Sequence, residues 1–316
     1  MPTPVPKVCA VILNLADTPC LLECLRSLEK AAYGNLEIVV VHNGPRSEEF
    51  DKAVRGASSR VSEVLFTGYN AGFAAGSNAG MRAALSRGAE HVLLLNDDTV
   101  VAPDFLGTLT AQAEADGPGM FGPRIFYFSE PEKIWFTGAV FDGSVCSFTP
   151  PGADLTEAAW GRPEPADTDY VTGCCLLVSR KVLETIGLLD ERFFLYWEDA
   201  DWCFRARARG FRCGIVPSSR IWHKVSSSTG GEGSPLKTYY KARGRLLFSG
   251  LHAPGAKKKI IHEFARDAAW LLLKSGAPDR WRKAWAYIKA VLDNYMGRGG
   301  GRGLVRAAGG EPGHGN

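Results

Sequence analysis

The first half of the chain alternates short apolar runs with amphipathic stretches, and this alternation constrains the fold more than any other feature. Strand-like runs begin at Val8, Leu36, Val61 and Val92, and helix-like stretches separate them. Strands that alternate with helices usually build a mainly parallel sheet with helices on its faces. With 316 residues and 45% hydrophobic content, the chain can bury such a core. We therefore predict an α/β fold.

The pattern becomes less regular in the second part of the chain. Residues 126–169 contain short aromatic stretches and a Pro/Gly-rich connection, which predict loop. The apolar run Tyr170–Val178 predicts a second buried strand, followed by a helix from Lys181 and a further strand that ends at His223. Residues 226–235 are small and polar, a composition typical of a mobile loop.

Charge is divided unevenly along the chain. Residues 1–235 contain 21 Lys and Arg against 29 Asp and Glu, whereas residues 236–306 contain 16 basic and 4 acidic residues. A basic module next to an acidic body suggests a polyanionic partner. We divide the chain into an α/β domain (1–235), a basic amphipathic helical extension (236–296) and a Gly-rich tail (297–316) that we expect to be disordered.

The basic extension also has an apolar helix face. Trp281, Trp285, Ile288 and Leu292 recur at helical spacing beside several Lys and Arg residues. A basic amphipathic helix of this kind favours binding to an anionic membrane surface. An ordinary solvated surface is the alternative, and we expect no nucleic-acid partner because no recognised nucleic-acid-binding module accompanies the charge.

Cysteine spacing and the amino-terminal residues bear on location. The eight cysteines show no paired spacing of a zinc site or a disulfide framework, so we expect reduced, mostly buried thiols. The apolar run that begins at Val8 is too short for a secretory segment. We therefore expect a cytoplasmic protein, held at the inner face of the membrane by its extension.

Two adjacent carboxylates follow the most apolar strand. The run that ends at Leu95 leads into Asn96-Asp97-Asp98-Thr99. Ligands of open α/β sheets bind at the carboxyl ends of the strands, and carboxylates there suit Mg²⁺ or Mn²⁺. Alternatively, these acids are turn residues that cap a helix beginning near Pro103.

Three glycines recur every four residues in the preceding helix. Gly72, Gly76 and Gly80 therefore share one helical face. Because a helical glycine costs about 1 kcal/mol relative to alanine, it needs a structural or functional reason. The face is expected either to pack closely on a strand or to approach a ligand.

A second group of polar residues lies late in the domain. Glu198 and Asp199 precede a helical pattern, where the helix dipole favours an ionised carboxylate that could accept a proton. For Asp201 we predict an ion pair with Arg205 one turn later. His223 lies at a strand end and is a candidate metal or phosphate ligand.

Several segments, in this order and spacing, together resemble the family 2 glycosyltransferases with the GT-A fold, and within them the rhamnosyltransferase-like branch. Each segment is weakly specific by itself, but the set extends over some 220 residues. The segments are Val39-Val40-Val41-His42-Asn43-Gly44, Asn70-Ala71-Gly72-Phe73-Ala74-Ala75-Gly76-Ser77-Asn78-Ala79-Gly80, Leu94-Leu95-Asn96-Asp97-Asp98-Thr99, Thr172-Gly173-Cys174-Cys175-Leu176-Leu177, Leu189-Asp190-Glu191-Arg192-Phe193-Phe194-Leu195-Tyr196-Trp197-Glu198-Asp199-Ala200-Asp201 and Trp222-His223.

The resemblance implies an inverting transfer of a sugar, possibly rhamnose or another hexose, from a nucleoside diphosphate sugar to a hydroxyl of a lipid-linked or cell-surface glycan. By this resemblance Asp98 and His223 hold the Mg²⁺ or Mn²⁺ ion, and Asp199 of the Glu198-Asp199 pair is the base. The residues implied in donor binding are Asn14, His42, Asn43, Asn70, Gly72, Asn78, Asn96 and Asp97.

Two positions depart from the family pattern. His42 stands where the family often has an aspartate that contacts the nucleoside, and Asn96 replaces the first acid of the D-x-D motif. Two other functions remain open at this point. A sugar nucleotidyltransferase is one, although Asn14 to Pro19 contains no glycine or cation of an activating loop. A catalytically weak protein that binds a glycan or nucleotide sugar is the other.

Overall fold

The computed structural model describes residues 5–16, 18–161, 164–225, 234–274, 276 and 279–298. Within these ranges the chain forms a ten-stranded sheet, a separate two-stranded hairpin and ten α-helices. Most of the predicted mobile loop (226–233) and the Gly-rich tail from residue 299 lie outside the described residues.

The strands are β1 (Val8–Asn14), β2 (Leu36–His42), β3 (Val61–Phe66), β4 (His91–Asn96), β5 (Thr99–Val101), β6 (Gly119–Tyr127), β7 (Ile134–Phe136), β8 (Val140–Asp142), β9 (Ser147–Thr149), β10 (Ala166–Asp167), β11 (Cys175–Ser179) and β12 (Arg212–His223). The helices are α1 (Thr18–Glu29), α2 (Glu48–Ala57), α3 (Gly72–Ser86), α4 (Phe105–Asp116), α5 (Glu157–Trp160), α6 (Arg180–Ile186), α7 (Glu198–Arg207), α8 (Pro235–His252), α9 (Lys257–Leu273) and α10 (Arg280–Tyr295).

The sheet has a parallel core. Its strand order is β10-β12-β6-β11-β4-β1-β2-β3, with β5 paired to β12 and β7 to β6. The strands β3, β2, β1 and β4 pair in parallel, and so do β6 and β12. Between these groups β11 runs antiparallel to both neighbours. The mainly parallel sheet flanked by helices is confirmed, with β11 as its central exception.

Two expectations about local structure were wrong. The strand predicted over Tyr170–Val178 begins only at Cys175. The backbone before it turns, so that the Cys175 amide donates to the Thr172 carbonyl and the Gly173 amide donates to Asp199 instead of to a neighbouring strand. The segment 126–169, predicted as loop, contains the end of β6, the short strands β7 to β10, and α5. Its short aromatic stretches form strands because they pair with neighbouring strands, a tertiary effect that local composition does not show.

The glycine face of α3 packs against the sheet. A Cβ at Gly76 would lie 2.5 Å from Leu13 Cδ1, and one at Gly80 would lie 2.4 Å from Val11 Cγ1. Both distances are too short for any real side chain, so these glycines let the helix lie directly on β1. Of the two readings of this face, close packing is confirmed for Gly76 and Gly80.

The C-terminal helices share a hydrophobic core with the α/β domain. The rings of Phe194 on the domain and Tyr240 on α8 stack with their centres 4.9 Å apart. Trp197 and Phe248 also pack together, with ring centres 5.1 Å apart. Helix α8 thus begins at the division predicted from the sequence but packs against the segment that leads into α7. Among the described helices, none has both the length and the apolarity needed to cross a bilayer.

All eight cysteines are free thiols, and seven of them are buried. Burial raises the pKa of the Cys24 thiol to about 12, so this group is uncharged at neutral pH. The expectation of reduced, mostly buried cysteines is confirmed, and these side chains act as small apolar groups in the core.

The packing of α3 can be tested with Gly80→Ala. Overpacking costs about 1–3 kcal/mol, and the higher helix propensity of alanine offsets about 1 kcal/mol of that. We expect urea denaturation to show a free energy of unfolding lowered by up to about 2 kcal/mol. The matched control is Gly107→Ala in α4, where an added Cβ meets nothing within 4 Å. Equal stabilisation by both substitutions would contradict the packing argument.

Candidate active site

The carboxyl ends of three parallel strands place a row of polar side chains at one edge of the sheet. Asn14 ends β1 and pairs in register with His42, the last residue of β2. The side-chain nitrogen Nδ2 of Asn14 donates to Asp97 Oδ2 at 2.7 Å, and Asn14 Oδ1 lies 3.2 Å from His42 Nδ1. The structure thus brings Asn14, His42 and Asp97 together at the edge where ligands of such sheets bind.

His42 lies in an aromatic setting. Its ring centre is 4.3 Å from that of Phe50 and 5.9 Å from that of Phe66. Burial lowers the pKa of His42, so the imidazole is neutral at pH 7. A Cβ at Gly44 would lie 2.9 Å from His42 Nε2, and the glycine therefore leaves room for the ring. A neutral ring among aromatic side chains suits a flat, uncharged group such as a nucleobase.

Asn43, Asn70 and Gly72 form a second cluster next to this row. Asn43 Oδ1 accepts from the Ala71 amide at 2.9 Å, while Asn43 Nδ2 donates to the Gly72 carbonyl at 3.1 Å and to Asn70 Oδ1 at 3.2 Å. Asn70 Oδ1 also accepts from the Gly72 amide at 3.0 Å. The structure brings these residues together, and their hydrogen bonds with one another shape the turn before α3.

Asn78 lies apart from both groups. Its amide nitrogen donates to the Leu189 carbonyl and to Glu191 Oε1, both at 2.9 Å, and its oxygen accepts from the Leu189 amide at 3.0 Å. The side chain is buried and its hydrogen-bonding capacity is nearly filled. The structure therefore shows Asn78 tying α3 to the segment before α7, and does not bring it together with the other predicted donor contacts.

The acids after β4 do not cap a helix. Asp98 is followed by β5, and α4 begins only at Phe105, with Asp104 at its N-cap position. β5 pairs with the end of β12 so that Thr99 is opposite His223. This pairing places Asp98 Oδ1 3.0 Å from His223 Nε2, with both side chains buried. The helix-capping alternative is wrong for Asp97 and Asp98.

Asp98 and His223 fit a divalent ion. Asp98 Oδ1 and His223 Nδ1 are both buried; Oδ1 has His223 Nε2 beside it, whereas Nδ1 has no hydrogen-bond partner among the described residues. Within the described ranges no group of three or more His, Cys, Asp or Glu side chains could enclose an ion. Mg²⁺ and Mn²⁺ often bind through one or two protein ligands and take the rest from phosphates and water. The pair therefore suits an ion that arrives with a phosphate-bearing ligand.

Glu198 and Asp199 occupy the first turn of α7, as predicted. Asp199 Oδ2 accepts from the Tyr170 hydroxyl and from the Gly173 amide, each at 2.8 Å, and Asp199 Oδ1 accepts from the Ala200 amide at 2.9 Å. These three donors orient the carboxyl group and favour its ionised form.

Burial opposes the effect of the helix end on the ionisation of Asp199. Burial raises the pKa of Asp199 above its ordinary value despite the hydrogen bonds, because removal of water disfavours the charge more than they favour it. Burial and the neighbouring Asp199 raise the pKa of Glu198 well above its usual range. Glu198 is 4% exposed and its Oε2 has no partner among the described residues. Near neutral pH the pair therefore holds a proton on Glu198 more readily than on Asp199.

The two groups of acids both lie near Cys174, and we refer to the region between them as the cleft. The Asn96 amide donates to the Cys174 carbonyl at 2.9 Å, and the next residue back, Gly173, donates to Asp199. The negative charges of Asp98 and Asp199 both add to the burial that raises the pKa of the Cys174 thiol. The segment 172–174 therefore connects the end of β4 with the start of α7.

Two further residues near this cleft were missed in the sequence. The Trp135 ring meets the His223 ring edge to face, with centres 4.4 Å apart. Tyr170, predicted as a strand residue, is the side chain that donates to Asp199. The aromatic content of both segments was visible, but nothing in the sequence indicated that β7 and the turn before β11 would meet here. The predicted pair of Asp201 with Arg205 is confirmed, with Nε 2.8 Å from Oδ2.

The fold is similar to that of a solved glycosyltransferase. A crystal structure of GalNAc-T7 with UDP, GalNAc and Mn²⁺ superposes with a TM-score of 0.64 at 14% sequence identity. The match covers 92% of this chain and 55% of that chain. At this identity the similarity shows the fold, which is the GT-A fold expected from the sequence.

Curated relatives include one with a named activity. The chain is 32% identical over 219 residues to the uncharacterized protein y4gI of Sinorhizobium fredii, covering 66% of this chain but only 23% of that protein's length. It is 23% identical over 279 residues to the dTDP-rhamnosyl transferase RfbF of Shigella flexneri, covering 85% of this chain and 89% of RfbF.

The family assignment follows from a match over most of the α/β domain and α8. The model of the family described as glycosyltransferase like family 2 matches residues 6–248. This match spans well over half of the 316 residues. The chain is therefore a member of the glycosyltransferase-like family 2.

Proposed function

We propose that this protein transfers a sugar, with inversion, from a nucleoside diphosphate sugar to a hydroxyl group of a glycan or lipid-linked acceptor. The observation that carries the proposal is that Asp98 and Asp199 both lie next to the segment Gly173-Cys174. One acid lies where it can serve the diphosphate, and the other is held by three hydrogen-bond donors and can accept a proton. Family membership agrees with this chemistry.

The donor binds along the carboxyl ends of β1, β2 and β4. His42 and Asn14 face the nucleoside, with the neutral His42 ring and its aromatic neighbours next to the base. Asn96 and Asp97 lie nearest the ribose and diphosphate. Donor binding also depends indirectly on Asn43, Asn70 and Gly72, because their hydrogen bonds fix the turn at the start of α3. Similarity to a dTDP-rhamnosyl transferase supports a deoxyhexose such as rhamnose as the donor sugar.

Asp98 and His223 hold the Mg²⁺ or Mn²⁺ ion that accompanies the diphosphate. The buried pairing of Asp98 Oδ1 with His223 Nε2 supports this role, and so does the Mn²⁺ in the structure of GalNAc-T7. When bound, such an ion stabilises the negative charge that grows on the departing diphosphate. Asn96 adds no charge and Asp97 is engaged by Asn14, so among the described residues we assign Asp98 as the acidic ligand.

Asp199 is the catalytic base. The acceptor oxygen attacks the anomeric carbon opposite the diphosphate, the bond from this carbon to the diphosphate oxygen breaks, and the acceptor proton passes to Asp199. The Tyr170 hydroxyl and the Gly173 amide orient the carboxylate throughout. The raised pKa of Asp199 suits this role, since a base with a pKa closer to the working pH accepts a proton more readily. Burial raises the pKa of the neighbouring Glu198 well above its usual range, which favours the negative charge on Asp199.

The acceptor is reached at the inner face of a membrane. Trp281 is 64% exposed and Trp285 is 56% exposed on α10, and Leu273 at the end of α9 is 81% exposed. Ile288 and Leu292 continue the same face of α10. Arg282 and Lys274 are exposed near these groups. Aromatic side chains flanked by cations favour insertion among anionic headgroups.

The neighbouring ends of α9 and α10 are therefore the part of the extension that enters the membrane surface. The Lys257 ammonium lies 5.5 Å from the centre of the Tyr295 ring, so the two helices run antiparallel. This arrangement brings Leu273 and Trp281 to the same end of the helix pair. A cytoplasmic protein held in this way would serve cell-surface polysaccharide synthesis from a lipid-linked acceptor.

The transfer reaction can be tested with nucleotide sugars, including dTDP-rhamnose, and a lipid-linked acceptor extract. We expect Asp199→Asn to lower turnover about 100- to 10,000-fold, the range for loss of a general base, while binding of the nucleoside diphosphate stays nearly unchanged. Asp51→Asn, on the surface of α2, is the control. Chelation should lower the rate and added Mn²⁺ restore it. Donor binding without any transfer or donor hydrolysis would instead indicate a binding protein.

The dependence of the rate on pH can be tested with Tyr170→Phe. The Tyr170 hydrogen bond lowers the pKa of Asp199, so its removal should raise that pKa further. Because the base acts only when ionised, kcat/KM falls as the pH drops through this pKa, and the acid limb should move to higher pH in the variant. Tyr33→Phe, whose hydroxyl bonds to the Pro6 carbonyl, is the matched control. An unmoved acid limb in Tyr170→Phe would remove Asp199 from the base role.

Membrane binding can be tested with phosphatidylcholine vesicles that contain or lack phosphatidylglycerol. We expect sedimentation with the anionic vesicles only, and a partition coefficient lowered at least about tenfold, or about 1.4 kcal/mol, by Trp281→Ser with Trp285→Ser. The control substitutes exposed apolar residues of the α/β domain, Val140→Ser with Leu155→Ser. Equal binding of the two double variants, or of the protein to both vesicle types, would contradict the proposal.

A further inference from the structure

The segment that leads into α7 has a strained backbone. Phe194, Tyr196 and Trp197 have φ angles of 66°, 67° and 77°. Residues other than glycine rarely adopt such angles; each costs about 1–3 kcal/mol and persists only where the surrounding structure imposes it. This base loop (residues 192–197) ends one residue before the Glu198-Asp199 pair. Its conformation therefore sets where α7 begins and where the Asp199 carboxylate lies.

A buried guanidinium on α8 holds the base loop from one side. Arg243 is 3% exposed, and its Nη1 donates to the Phe193 carbonyl at 3.0 Å. Its other terminal nitrogen donates to the Arg192 carbonyl. A buried cation bonded to two successive carbonyls fixes the direction of the backbone at the start of the loop.

The next residue of α8 lets the helix backbone touch the loop. A Cβ at Gly244 would lie 2.7 Å from the Tyr196 carbonyl oxygen and 2.7 Å from Trp197 Cδ1. An alanine there would push both left-handed residues away from the helix. Gly250, on the same helix, has nothing within 4 Å of an added Cβ.

The start of α3 holds the loop from the other side. The Phe194 carbonyl accepts from the Phe73 amide at 2.6 Å. Gly72 has a φ of 87°, and a Cβ there would lie 2.7 Å from the Phe194 carbonyl oxygen. The loop is therefore clamped between the helix that follows the donor turn and the first helix of the C-terminal extension.

We propose that Arg243 and Gly244 are positioning residues for catalysis: α8 imposes the strained base loop and so sets the Asp199 carboxylate against Tyr170 and Gly173. This proposal rests on the proposed function, in which Asp199 is the base. It makes the first helix of the extension part of the catalytic machinery, in addition to its link to the helices that carry the exposed tryptophans.

The test compares Gly244→Ala with Gly250→Ala in the full chain. A small misplacement of a catalytic group costs about 100-fold in rate. We expect Gly244→Ala to lower kcat about 10- to 100-fold and to change the dissociation constant of the nucleoside diphosphate less than about threefold. Gly250→Ala should leave both unchanged. A folded Gly244→Ala variant with the kcat of Gly250→Ala would overturn the proposal.

Arg243 gives a second variant in case Gly244→Ala does not fold. Arg243→Lys keeps the charge but cannot bond two carbonyls in the same fork, so we expect kcat to fall at least about fivefold while Arg243→Gln loses more. The acid limb of the pH profile should also move, because the hydrogen bonds to Asp199 change. Full kcat with an unchanged pH profile in Arg243→Lys would overturn the proposal.

Hydrogen exchange separates failure of this inference from failure of the proposed function. The amides of Gly173 and Ala200 bond to Asp199, so their exchange reports its position without any reaction. Faster exchange of both amides in Gly244→Ala than in Gly250→Ala supports the clamp even if no transfer is found with the wild-type protein. Equal exchange in the two variants would contradict the clamp whatever the activity.

Discussion

The structure of the cleft depends on a short stretch of backbone between Thr172 and Cys175. The Cys174 carbonyl accepts from the Asn96 amide at the end of β4, and the Gly173 amide donates to Asp199 at the start of α7. These two hydrogen bonds join parts of the chain about one hundred residues apart. The antiparallel strand β11 begins directly after them and lies between the two parallel groups of the sheet. The reversal of direction in the middle of the sheet is thus what brings the two acids to one site.

Burial of acids is the energetic consequence of this arrangement. Both Glu198 and Asp199 have raised pKa values because little water reaches them, and two like charges side by side are unfavourable. The protein directs its hydrogen-bond donors to Asp199 and leaves Glu198 Oε2 without one among the described residues. These hydrogen bonds therefore favour the negative charge on Asp199 rather than on Glu198. The hydrogen bonds to Asp199 stabilise its buried carboxylate, and burial raises its pKa so that it accepts a proton more readily.

The C-terminal helices extend this organisation outward. Helix α8 contacts the base loop through Arg243 and Gly244. Helices α9 and α10 carry exposed tryptophans and cations on their surface. Some buried polar side chains in this region have a structural role and take no part in the candidate site. Asp201, for example, is buried with Arg205 and His252 as partners and ties α7 to α8. Helix α8 thus contacts the base loop, while α9 and α10 present exposed aromatic and cationic side chains.

Much of the fold was determined by the sequence alone. The periods of apolar residues predicted β1 to β4 with the helices between them, and the spacing of Gly76 and Gly80 indicated a helix face that either packs on a strand or approaches a ligand. Local patterns also placed Asp98 and Asp199 at element ends. These features follow from short-range chemistry, in which side-chain spacing fixes the face that a residue occupies.

Only the tertiary structure decided which distant residues meet. Tyr170 was expected in a continuous strand but forms an isolated β-bridge with Ala139 and donates to Asp199. Asn78 was expected at the donor but ties α3 to the segment before α7. The ionisation of Asp199 was expected from the helix end, yet burial has the larger effect. Partners in space, burial and the strain of the base loop arise from contacts between segments far apart in the chain. No local pattern of residues contains those contacts, because they exist only when the whole chain has packed.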